Sequence, residues 1–128
     1  MWQEAYRIFE IDKKNPYPKT LYHPYKGSKF LPLDKPLIAY QGIVFNPGKK
    51  LNPYRAGWHV ALNKKIIDKY LNHFTADRTL CICRVLVKET RPKPRSKSSI
   101  LLAKEMMVLS KDWMKAIFSV IKKGEVNA

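Results

Sequence analysis

Two apolar runs rich in Val, Ile, Leu and Cys lie within the stretch Thr79 to Leu109 (TLCICRVLVKETRPKPRSKSSILLAKEMMVL), separated over 89–98 by charge, proline and serine. That pattern predicts a long β-hairpin with a basic tip at 89–98, one element supplying both core and contact surface. Upstream, Ala5, Arg7, Phe9 and Ile11 alternate with Tyr6, Ile8 and Glu10, a first strand that Asp12 to Pro18 is expected to break. Pro16, Pro18, Pro24, Pro32, Pro36, Pro47 and Pro53 exclude a helix of ordinary length from the following segment. Short strands over Lys19 to His23 and Pro36 to Gln41 are expected there, with a loop over Tyr25 to Leu33 and a turn at Asn46-Pro47-Gly48.

Gly57-Trp-His-Val-Ala-Leu62 reads as a short buried strand, and Asn63 as the cap of the helix that follows. From Lys64 to Phe74 the apolar residues Ile66, Ile67, Tyr70, Leu71 and Phe74 share one helical face. Strand, helix and strand in close succession have the spacing of a crossover unit. After the hairpin, Ser110 is expected to cap a last helix with Asp112 in its first turn and Trp113, Ile117, Val120 and Ile121 on its apolar face, ending near Lys122, Lys123 and Gly124. The implied class is α+β: a mixed, mainly antiparallel sheet of five or six strands with two helices, in one domain over 1–128.

Composition agrees with a folded chain, since 45% hydrophobic and 12% aromatic residues exceed what a disordered segment carries. Charge changes the picture more. Twenty-five Lys and Arg against ten Asp and Glu give +15, a balance that attracts polyanions and makes nucleic acid, or an assembly containing it, the expected partner. No apolar run of about 18 residues exists, so no membrane span is expected, and the acids in MWQEAYRIFEI do not suit a signal peptide. A cytoplasmic protein is the expectation. Cys81 and Cys83 share a strand face, match no zinc spacing and are expected to be buried thiols; no metal site is expected.

If the tip is extended, Arg91, Lys93, Arg95 and Lys97 line one side and Pro92, Pro94, Ser96 and Ser98 the other. Same-side cations then stand roughly 6.5 to 7 Å apart, near the spacing of phosphates along a strand. Lys88 adds a fifth cation at the root of the row. Such contacts position a nucleic acid without reading its sequence, and four of them give a salt slope of roughly −3 to −4. A solvated loop is the alternative, weighed against a remainder that is basic too: Lys13, Lys14, Lys26, Lys29, Lys49, Lys50, Arg55, Lys64, Lys65, Lys122 and Lys123 lie outside the tip. Tyr17, Tyr22, Tyr25, Tyr40 and Tyr54 either stack on unpaired bases or pack half-buried.

Leu21-Tyr22-His23, Gly57-Trp58-His59, a helix ending near Tyr70, and Leu80 to Val85 follow an order that resembles the ADP-ribosyltransferase fold. The final strand of that family presents a Glu, and Lys104-Glu105-Met106 has that form. The resemblance implies an NAD cofactor, with His23 holding the nicotinamide ribose, Tyr22 or His59 flanking the nicotinamide, and Glu105 stabilising the oxocarbenium-like centre. Pro24 stands where the family has Gly after the His, and its Ser-Thr-Ser is absent. Glu105 has a structural alternative as an ion-pair partner of Arg84 or Lys104. Gly57-Trp58-His59 with Cys83-Arg84-Val85 is also similar to small phage and bacterial proteins with a Gly-aromatic-His signature, a resemblance that implies no activity. The expected function is that of a small basic, nucleic-acid-associated accessory protein, phage or prokaryotic, contacting phosphates through the 89–98 tip and the lysine-rich loops. The alternative is an NAD-using enzyme with Glu105 as the catalytic carboxylate.

Overall fold

The computed structural model describes residues 1–21, 28–40, 42–46, 52–71, 79–94 and 99–122. Their elements run β1 (Gln3–Asp12), β2 (Asn15–Lys19), β3 (Leu37–Ile38), β4 (Ile43–Asn46), β5 (Asn52–Arg55), β6 (Trp58–Val60), α1 (Lys64–Leu71), β7 (Leu80–Pro92), β8 (Leu101–Met107) and α2 (Ser110–Lys122). Six of the strands form one antiparallel sheet in the order β2-β1-β7-β8-β3, with β6 also on β8. With two helices packed on it, the class is α+β. β4 and β5 form a separate two-stranded ladder that the sequence pattern does not predict. The turn at Pro47-Gly48 lies outside the described residues.

The sheet curls far enough to meet itself. Just past β6, Ala61 exchanges both backbone hydrogen bonds with Tyr6 of β1, at 2.8 and 3.0 Å. β1, β7, β8 and β6 therefore follow one another around a closed ring. β6 and β7 both run antiparallel to β8, so they are parallel to each other, and α1 is the crossover that joins them. Asn63 caps α1 as expected: its Oδ1 accepts from the Lys65 amide at 2.7 Å.

Alternation along β1 and β7 sorts their side chains between two clusters. Ala5 and Phe9 join Cys81, Cys83, Val85 and Val87, covered by Trp113, Ala116 and Val120 of α2. Phe9 and Trp113 meet edge to face, centroids 5.8 Å apart, a geometry worth about 0.5–1.5 kcal/mol beyond burial. On the opposite face Ile8 packs with Ile67 of α1, Ala61 and Ile100. Both cysteines are buried free thiols.

Three local expectations change. Asp12 to Pro18 turns at Lys13-Lys14 and then pairs back on β1 as β2, in spite of its two prolines. Side-chain acceptors shape that return: Asp12 Oδ1 takes the Lys14 amide at 2.8 Å and Asn15 Oδ1 the Tyr17 amide at 2.9 Å. The strand expected over Lys19 to His23 is reduced to Lys19 at the end of β2; Tyr22 and His23 lie outside the described residues, and Pro36 to Gln41 shortens to β3. Ser110 is the first residue of α2 rather than its cap, because the Leu109 carbonyl already accepts from the Asp112 and Trp113 amides.

β7 also extends further than the apolar pattern implies. Thr90, Arg91 and Pro92 stay in register with Ala103, Leu102 and Leu101, so Glu89 to Pro92 belongs to the hairpin stem. Pro92 is the last residue of β7, and the next amide that bonds across the hairpin is that of Lys93, to the Ile100 carbonyl at 3.2 Å, so the missing proline N–H costs the pair nothing. Among the described residues no helix is long and apolar enough to cross a membrane.

Candidate functional site

Where the stem of the hairpin passes the link between β5 and β6, Arg55, Ala56, Glu89, Thr90, Arg91 and Lys104 line a hollow of about 330 Å³. That is the lower end of the range of small-molecule sites, roughly 300–1,000 Å³. Three cations face one carboxylate there. Arg91 is tied in place, its Nη2 donating to the carbonyls of Arg55 at 2.8 Å and Ala56 at 2.9 Å. Lys104 Nζ lies 3.7 Å from Glu89 Oε2, a pair whose side chains are 48% and 63% exposed. Glu89 has a φ of 55°, a left-handed conformation that L residues other than Asn and Asp seldom adopt.

The remaining hairpin cations differ in setting. Lys88 Nζ sits 4.5 Å from the centroid of the Trp2 ring, a cation–π contact on the outside of the sheet. Lys93 is half-buried and desolvation lowers its pKa, while its amide donates to the Ile100 carbonyl at 3.2 Å. Arg91 and Lys93 share a side, as alternation predicts, but it is the half-buried side; Pro92 and Pro94 are the exposed ones. Arg95 and Lys97 lie outside the described residues.

Comparison with protein-family models, curated proteins and solved structures finds no match.

Of the four residues nominated for NAD chemistry, Tyr22 and His23 lie outside the described residues. His59 is on β6 opposite Leu102, and its backbone carbonyl accepts from Arg7 Nη1 at 3.0 Å. Glu105 is half-buried on β8, opposite Lys88 on one side and Ile38 on the other. Neither His59 nor Glu105 lines the hollow at the hairpin stem, or the smaller one of about 240 Å³ formed by Tyr17, Phe30, Leu31 and Pro32. Arg84 does not serve Glu105: it binds Glu4 at 2.6 Å and Asp112 at 2.9 Å, and Lys104 faces Glu89 instead. Among the described residues no group of three His, Cys, Asp or Glu side chains is placed to hold a metal ion.

Sequence reasoning placed Arg91 in a phosphate-contacting row and counted Arg55 only among the scattered basic residues. It did not single out Glu89 or Lys104 as site residues. A signal for the second pair existed, since Glu89 and Lys104 flank the tip at positions that a hairpin of this length brings opposite each other. Nothing in the pattern announced that the β5–β6 link would close the hollow from the other side.

Proposed function

We propose that the protein binds nucleic acid through its phosphates, positioning itself on the backbone without reading base sequence. The observation that carries this reading is how the few acids are spent. Among the described residues, five carboxylates converge on three cations: Glu10 and Asp12 on Lys19, Glu4 and Asp112 on Arg84, and Glu89 on Lys104. Exposed Lys13, Lys14, Lys29, Lys35, Lys64, Lys65, Lys69, Lys111 and Lys115 take part in none of these pairs. Among the described residues, positive charge therefore stands in excess on the surface, where it draws a polyanion over roughly 8–10 Å at moderate salt. The cations that line the hairpin stem supply a fixed contact within that diffuse field.

Fluorescence anisotropy with a labelled single strand and a labelled duplex, at about 50 and 200 mM salt, tests the reading. Binding at low salt that weakens steeply at the higher concentration, with little dependence on base sequence, is the expected result. An absence of binding at low salt, or affinity indifferent to salt, refutes it.

A further inference from the structure

We propose that the hollow at the hairpin stem seats one phosphate group of a polynucleotide backbone, gripped by Arg55, Arg91 and Lys104, and that Glu89 is a resident anion which the phosphate displaces from Lys104. The inference rests on the nucleic-acid reading above and names the point on the surface where the backbone is fixed.

Arg91 is the anchor of the argument. Its Nη2 hydrogens are used on the carbonyls of Arg55 and Ala56, which holds the planar guanidinium in one orientation and leaves Nε and Nη1 outside those two bonds. A guanidinium already immobilised loses little further freedom when an oxyanion docks, and its fork geometry matches two phosphate oxygens. Arg55 is exposed at the same rim, and Thr90 completes the lining between Glu89 and Arg91.

Glu89 is what makes the hollow more than a cluster of positive charge. The hairpin ladder stays in register on both sides of it, Lys88 opposite Glu105 and Thr90 opposite Ala103, so no inserted residue forces the left-handed turn at this position. The strained residue lines the hollow together with three cationic residues and turns its carboxylate to Lys104. At 3.7 Å and with both side chains about half exposed, its pairing with Lys104 is weak. A phosphodiester that reaches Arg55, Arg91 and Lys104 together replaces one loose ion pair with three contacts, and Glu89 can swing into water.

The test compares wild type, Glu89→Gln, Arg55→Gln, Lys104→Gln and, as a control at an exposed lysine that does not line the hollow, Lys65→Gln, by anisotropy with the single strand across a salt series. Arg91 is left intact because it holds the β5–β6 link. Removing the resident anion should tighten binding about fivefold. Arg55→Gln and Lys104→Gln should each weaken it by a similar factor and reduce the salt slope by about one, more than Lys65→Gln does. Unchanged or weaker binding by Glu89→Gln, or equal effects of Lys104→Gln and Lys65→Gln, overturns the proposal while wild-type binding leaves the nucleic-acid reading standing. Titration with inorganic phosphate separates the two sources of the ligand. Uptake of phosphate that is lost in Lys104→Gln, without oligonucleotide binding, overturns the polynucleotide assignment and the nucleic-acid reading together, and binding of neither ligand overturns the hollow as an anion site.

Discussion

Asp34 caps α2 from a distant loop: its Oδ1 accepts from the Ser110 amide at 2.9 Å and its Oδ2 from the Ser110 hydroxyl. The loop is fixed in turn by the Asp34 amide, which donates to the Val108 carbonyl at 2.8 Å. Asp34 has a φ of 61°, a conformation that Asp and Asn tolerate better than other side-chain-bearing residues. Asp34→Asn should therefore keep both the backbone and one acceptor and lower Tm only slightly, whereas Asp34→Ala loses the acceptors and strains the backbone, with a clearly larger fall. Hydrogen bonds from Ser110 hold the Asp34 carboxyl below its ordinary pKa. A carboxylate depressed in the folded state stabilises fully above its unfolded pKa, and that contribution disappears as pH falls through the folded value. Thermal melts from pH 7 to pH 3 should thus show wild type losing its advantage over Asp34→Asn at the acid end, and parallel curves would contradict the cap.

That cap also shows where the sequence was legible and where it was not. β1, the first half of β7, α1 with Asn63, and the apolar face of α2 are written in local periodicity, because burial on one side imposes a repeat of two or of 3.6 residues. Ser110 carried the local signature of a cap, but the group that fulfils the role is Asp34, far away in the chain, and no local pattern reports such a partner. Pro16 and Pro18 argued against a strand that exists because Asp12 and Asn15 shape the turn before it. The ring closure through Tyr6 and Ala61 and the meeting of Arg55 with Arg91 are likewise tertiary facts. The hairpin was read correctly as an element; the meeting of its stem with the β5–β6 link was not, because that contact joins segments far apart in the chain.

Asp112 is 6% exposed and holds Arg84 Nη1 at 2.9 Å, the one described ion pair that links α2 to the sheet. Arg84→Met leaves that carboxylate buried without its partner, which should cost about 2–3 kcal/mol, less than for a fully buried pair because Arg84 itself is partly exposed. Asp112→Asn with Arg84→Met should recover part of the loss, since the amide is cheaper to bury than an unpaired charge. A double-mutant cycle in urea measures the coupling, and additive losses would show that Arg84 and Asp112 do not stabilise each other.

Cys81 and Cys83 point into the core beneath α2, and burial pushes the Cys81 thiol up to about 12 and that of Cys83 higher still. Thiolate is the reactive form, so both should resist a disulfide reagent at pH 8 in the native protein and react at once in denaturant. Labelling followed by mass spectrometry should give no adduct until the chain unfolds. Rapid native modification of either cysteine would place it outside the core described by β7 and α2.

Arg7 is the most unusual side chain of the sheet, a cation on the core-facing side of β1. Its guanidinium lies 5.4 Å from the ring centroids of both Phe9 and Trp58, and Nη1 donates to the His59 carbonyl at 3.0 Å. The buried Nε has no hydrogen-bond partner among the described residues. Burial lowers the guanidinium pKa to about 10, which leaves it charged at neutral pH and makes its desolvation a cost that the two rings and one carbonyl only partly offset. Met matches the apolar stem without the charge, so Arg7→Met should lie within about 1 kcal/mol of wild type. Arg7→Ala opens a cavity against Phe9 and Trp58 and should cost about 2–4 kcal/mol. Lys reaches the same space but is more strongly hydrated and cannot stack a planar group on the rings, so Arg7→Lys should fall between the two. Urea denaturation of the three variants gives the order directly. A Met variant as damaged as the Ala variant would mean that the charge itself, held between the strands by Trp58 and the His59 carbonyl, keeps β6 against β1.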